Sequence, residues 1–177
     1  MLSLNKSAYK YFNELKKIDE LSNKKQKKKY KEIEKPPKLI YKRDMLFYDI
    51  NEVVADFVDE NSDEEIIKLH RNKTNFEAEN NHMHMTDLYK EGQTKECFSV
   101  MQYYCSKILK FCKKKKIEGK LVFIIYIFND DLVVNFHRFR QGESYVLADI
   151  DEYYTSYDPE AVNADTQFGV AVITTEI

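Results

Sequence analysis

Glycine and proline are scarce in this chain, with four and three occurrences among 177 residues. Both residues punctuate turns, so their scarcity predicts long elements and few tight turns. Long apolar runs are missing as well. The longest, Leu121 to Phe128, is far too short for a membrane-crossing helix of about 20 residues, and the opening Met1-Leu2-Ser3-Leu4-Asn5-Lys6 holds no apolar stretch of a secretion signal. A cytosolic protein without a membrane partner is expected. The three cysteines, Cys97, Cys105 and Cys112, lack CxxC spacing. Seven or eight residues apart in a helical pattern, they share a face but stand about 10 Å from one another along the axis, too far for a disulfide, which predicts buried reduced thiols. No Gly-rich phosphate loop, GxSxG or HExxH occurs. Without those frameworks for phosphate binding, nucleophilic attack or zinc, we expect no enzyme and no cofactor or metal.

What is present is enough to fold. Apolar residues make up 43% of the chain, including 13 Tyr and 11 Phe. A chain of this length closes one core and buries roughly two-thirds of its unfolded surface. The expected organisation is one domain over 1–177: a basic helical arm and linker at 1–38, a mainly helical part at 39–118, and a β-rich acidic part at 119–177.

The apolar spacing supplies the elements. Leu4, Tyr11, Phe12, Leu15 and Ile18 fall at helical intervals within 4–33, ahead of the linker that Pro36-Pro37 enforces. Leu46, Phe47, Ile50, Val53, Val54, Phe57 and Val58 fit a second helix. Ser62 and Glu65 form a capping box ahead of a short third helix, while polar, Asn-rich 72–85 reads as loop. A long helix over 95–116 carries Cys97, Met101, Tyr104, Cys105, Ile108 and Cys112 on one stripe, with Lys113 to Lys116 at its negative end. After Gly119 the pattern turns to strands at 121–128, 132–140, 145–148 and 168–174, with turns at Asn129-Asp130-Asp131 and Gln141-Gly142-Glu143. Helices first and strands last predict an α+β fold, N-terminal helices packed on a C-terminal antiparallel β-meander.

Charge is sharply divided. Residues 1–43 hold 14 Lys+Arg against 5 Asp+Glu, a net of +9, and the remainder holds 14 against 25, a net of −11. The two parts attract different partners, or each other. Near the acidic end, Asp149, Asp151, Glu152, Tyr153, Tyr154, Tyr157 and Asp158 interleave carboxylates with phenol rings. Tyrosines supply rigid contact area and carboxylates steer a basic partner, so these seven residues are the candidate protein-binding surface. The alternative is a solvated acidic loop. The lysines at 24–29 admit phosphate contacts, but no nucleic-acid-binding motif accompanies them, and direct nucleic-acid binding is the secondary expectation.

Two histidine groupings invite chemistry. His82 and His84 would point the same way on a strand, a two-ligand start for a metal, with Asp87 close in sequence and His70 and Cys97 farther off. No closing ligand pair follows, so an exposed polar loop is the expectation. His137, with Arg138, Arg140, Glu143 and Ser144, suggests a small polar cluster, and a sheet-face histidine is expected over a general base.

The stretch Leu132 to Tyr145 and the acidic segment Asp149 to Asp158, in a helix-first and strand-last chain, resemble bacterial toxin-immunity proteins, in particular those of contact-dependent growth inhibition systems. The resemblance implies a non-enzymatic cytosolic inhibitor that binds a basic nuclease toxin and blocks its substrate groove.

Overall fold

The computed structural model describes residues 1–4, 8, 11–19, 37–49, 52–88, 94–128, 131–143 and 169–177. Its elements follow the order β1 (Leu2–Leu4), α1 (Phe12–Asp19), β2 (Lys38–Lys42), β3 (Met45–Asp49), α2 (Val53–Glu60), α3 (Asp63–His70), α4 (Lys73–Asn80), β4 (Met83–His84), α5 (Met85–Leu88), α6 (Thr94–Lys115), β5 (Lys120–Ile127), β6 (Leu132–Arg138) and β7 (Gly169–Glu176). Helices and antiparallel sheets make this an α+β fold.

The larger sheet runs β1-β7-β5-β6-β4, with every pair antiparallel. Among the described residues of this sheet, only β5 and β6 form a meander step. Strand β7 returns to the other side of β5, placing Ile124 opposite Val172, and the N-terminal β1 closes that edge beside β7. Leu4, where the expected helix was to begin, is instead the last residue of strand β1; it is paired with Ala171, and a ladder outweighs helical spacing in so short a segment. The expected strand at 145–148 lies outside the described residues, as does the basic run Lys24–Lys29.

A second sheet, β2-β3, is a hairpin that the apolar spacing did not reveal. Arg43 and Asp44 form its two-residue turn with φ of 50° and 64°. Positive φ at both turn positions is what a tight hairpin of type I′ requires, and Asp tolerates it better than most residues. The expected helix over 46–58 is thus split: strand to Asp49, then α2 from Val53. Strand β3 is buried at all five positions because it lies between two cores. Leu46 and Tyr48 enter the main core, and Met45 and Phe47 enter a second one with Val58, Ile66 and Phe76. A strand buried on both faces reads as a continuous apolar run, which periodicity alone cannot separate from a helix.

The main core lies between α6 and one face of the larger sheet. Helix α6 supplies Cys97, Met101, Tyr104, Cys105, Ile108 and Cys112, and the sheet supplies Phe123, Ile125, Val134, Phe136 and Ile173. Leu15 from α1 joins them. The opposite sheet face carries Val122, Ile124 and Val170 as a smaller apolar cluster, beside buried Asn135 and His137.

The 72–85 segment, expected to be loop, contains α4. Asn72 caps that helix, its side-chain oxygen accepting from the Asn75 backbone N–H at 2.7 Å. Thr74, Phe76, Glu77 and Ala78 are buried. Buried polar residues replace the apolar stripe by which such a helix is normally read.

Candidate functional site

Helix α4 locks the two sheets together through polar groups. Glu77 is fully buried. One carboxylate oxygen accepts from the Leu46 backbone N–H at 2.7 Å, and the other from the Arg138 N–H at 2.6 Å. Asn81 repeats the bridge: its Oδ1 accepts from Tyr48 N–H, and its Nδ2 donates to the Leu46 and Phe136 carbonyls. These two side chains satisfy backbone groups of β3 and β6 that no described strand pairs, and a buried backbone group left unpaired is costly. Arg140 closes the arrangement by gripping Glu77 with both terminal nitrogens, at 2.8 and 3.0 Å.

Burial pushes the Glu77 carboxyl above its usual range, against the pull of Arg140 and the two backbone donors. Burial opposes the charge on Arg140 too, yet Glu77, with Asp44 and Glu143 nearby, holds the guanidinium above its ordinary value. The network extends outward. Glu143 accepts from the Thr74 backbone N–H and hydroxyl, and Arg138 bonds Tyr41 and Asp44. The expected grouping of Arg138, Arg140 and Glu143 is therefore real, but its centre is Glu77. His137 stands apart: its Nδ1 donates to the Arg138 carbonyl at 2.9 Å, and burial lowers its pKa, so it is a neutral, sheet-face histidine. Ser144 lies outside the described residues. With its charged groups paired to one another, the network has the chemistry of a structural joint.

A different surface is open to solvent. From Asp44 to Ile67 the sequence has nine Asp and Glu residues and not one Lys or Arg. Helices α2 and α3 display most of these carboxylates. Glu52, Asp56 and Glu60 recur every four residues along one exposed stripe, and Glu64 and Glu65 are exposed on α3. The Ser62–Glu65 capping box is formed as expected, which fixes the start of α3. Large apolar side chains stand among the acids: Val53 and Leu69 are each 65% exposed and Ile67 41%. Phe57 meets the His70 ring edge-on at 6.0 Å, a contact between the two helices. Part of the acidic charge is already answered, since Asp59 pairs with Lys42 and Asp63 with Arg43 and Lys73. The uninterrupted acidic run was legible in the sequence, but the helix expected over 46–58 obscured it.

The histidines of the suspected metal grouping do come together. His82 and His84 Nε2 atoms are 3.1 Å apart, and His84 Nδ1 lies 2.6 Å from Asp131 Oδ2. Asp131, from the start of β6, takes the place expected of Asp87. The other suspected members are elsewhere, with His70 bonded to Glu79 and Cys97 in the core. Burial and the neighbouring His84 lower the His82 pKa. Among the described residues, no three His, Cys, Asp or Glu side chains converge as a metal cage. All three cysteines are buried thiols, and burial pushes Cys105 and Cys112 up to about 12, which leaves them unreactive near neutrality. The seven candidate interface residues, Asp149, Asp151, Glu152, Tyr153, Tyr154, Tyr157 and Asp158, lie outside the described residues. Among the described residues, no helix is long and apolar enough to cross a membrane.

Fold and surface together define an α+β protein with an acidic, partly apolar helical face. The chain belongs to the Uncharacterized protein PM0498 family, whose family model matches residues 4–159. No curated protein and no solved structure matches it.

Proposed function

We propose that this chain is a non-catalytic immunity protein of the cytosol, of the kind that serves contact-dependent growth inhibition, and that it binds a basic nuclease toxin and covers its substrate groove. The supporting observation is the exposed α2–α3 face, where Glu52, Asp56, Glu60 and Glu64 accompany exposed Val53, Ile67 and Leu69. Carboxylates speed encounter with a cationic partner, and apolar groups that become dry in the complex hold it there. The acidic tyrosine segment, Asp149 to Asp158, belongs to the same proposal on sequence grounds. A groove shaped for phosphates is positively charged, so acidic side chains compete for the place of the nucleic acid backbone.

The test is co-expression with a candidate cognate nuclease domain, followed by association kinetics across a salt series. Wild-type protein protects the cells and associates quickly at low salt. The triple variant Glu52→Lys, Asp56→Lys, Glu60→Lys slows association roughly tenfold or more and flattens its salt dependence. Unchanged kinetics would remove this face from the account. A nucleic-acid-binding protein acting through Lys24–Lys29 predicts the reverse: salt-sensitive binding to RNA or DNA that is lost when those lysines are neutralised.

A further inference from the structure

The pairing of β4 with β6 creates a site that neither strand holds alone. His82, Met83 and His84 run along the sheet edge, and the register sets His84 opposite Val133. Strand alternation then turns His82 and His84 to one face, the face of Asn135. Their Nε2 atoms approach to 3.1 Å. For two imidazoles bound at ordinary metal–nitrogen distances, that separation corresponds to an angle at the metal of about 100°, which suits neighbouring ligands in tetrahedral or square-planar geometry.

The orientation of His84 is fixed from behind. Its Nδ1 donates to Asp131 Oδ2 at 2.6 Å, which turns the Nε2 lone pair toward His82, whose Nε2–H it accepts at 3.1 Å; a bound metal would take the place of that shared proton. A carboxylate behind a histidine is the usual means of setting the ligating tautomer. Asp131 is itself anchored, because its Oδ1 accepts from the Leu132 N–H at 2.7 Å and the Thr86 N–H at 3.2 Å. On the inner side, Asn135 is 1% exposed, and its side chain neighbours the His82 ring. On the outer side both imidazoles are exposed.

We propose that His82 and His84 form a two-nitrogen site for a divalent transition metal, with Asp131 as the positioning residue behind His84 and the remaining coordination positions open to water or an external donor. Imidazole selects zinc, nickel and copper over calcium and magnesium.

Calorimetric titration of the untagged full chain with Zn²⁺ and with Ni²⁺ tests this. One metal per chain is expected, abolished by either His82→Gln or His84→Gln and retained in His70→Gln. Asp131→Asn keeps an oxygen for the two backbone donors but loses the carboxylate, and binding weakens roughly 10- to 100-fold. Unaltered binding in Asp131→Asn would overturn the positioning role. Binding that survives both single histidine variants, or no binding by the wild-type chain, would overturn the site itself. A readout that needs no variant is the proton spectrum with Ni²⁺, in which His82 and His84 imidazole resonances broaden first while those of His137 persist.

Discussion

Arg140 meets Glu77 with a two-pronged contact, Nη2 to Oε1 at 2.8 Å and Nη1 to Oε2 at 3.0 Å, around a carboxylate with no solvent exposure. The same carboxylate receives backbone N–H groups from β3 and β6. Removing one partner strands the other charge where water cannot reach it, and such losses run to about 3–5 kcal/mol. Arg140→Met is expected to destabilise the protein by that order, and Glu77→Gln by less, because the amide oxygen still accepts one backbone bond. The double variant should cost clearly less than the sum of the singles. Urea unfolding of all four proteins measures the coupling, and simple additivity would show that the two groups act independently.

Acid weakens the outer ion pairs in a defined direction. Lys73, then Arg43, holds Asp63 below the usual carboxylate value. Partial burial opposes ionisation of Asp44, but the Tyr41 hydroxyl and Arg138 overcome it and hold that group low as well. A depressed folded-state pKa means stability present above the unfolded value, about 4, and lost as pH falls through the lower folded one. Below about pH 4 the unfolding free energy of wild type should therefore fall more steeply than that of Asp63→Asn. Parallel curves for the two proteins would show that Asp63 contributes nothing through its charge.

Phe76 joins α4 to the second core, with its ring 5.6 Å from Phe47 edge-on and 6.1 Å from Phe57 in a stack. Phe76→Ala should cost about 3–5 kcal/mol. Because that core is separate from the α6 core, amide exchange should accelerate in α2 and α3 more than in α6. Uniform acceleration would mean that the two cores unfold as one unit.

Gly169 lies so close to Ala8 that an added Cβ would stand 2.9 Å from the Ala8 Cα. Backbone yields less readily than a side-chain tip, so Gly169→Ala should lose about 1–3 kcal/mol. An unchanged unfolding midpoint would show that the N-terminal segment moves aside freely.

The elements legible in the sequence are those in which local pattern and burial agree. Helix α6 has six of its apolar positions on one buried stripe, Ser62 and Glu65 cap α3, and β5 is a short apolar run after Gly119. Where they disagree, the pattern misleads. Met45 to Tyr48 faces two cores and therefore shows no alternation, and α4 buries Thr74 and Glu77 in place of an apolar stripe. For the candidate sites, the sequence displayed the paired histidines and the acidic run. It could not show that Asp131, 47 positions after His84, stands behind that ring.

Composition and local spacing determined the α+β class, the long cysteine-bearing helix, the capped α3 and the uneven charge, because each depends on residues a few positions apart. Tertiary structure alone decided that a polar helix would bury a glutamate between two sheet edges, that Arg140 would neutralise it, and that β7 would join β5 in place of β6. Those choices depend on which backbone donors are left without partners once the strands have met, a quantity that exists only after distant segments are brought together.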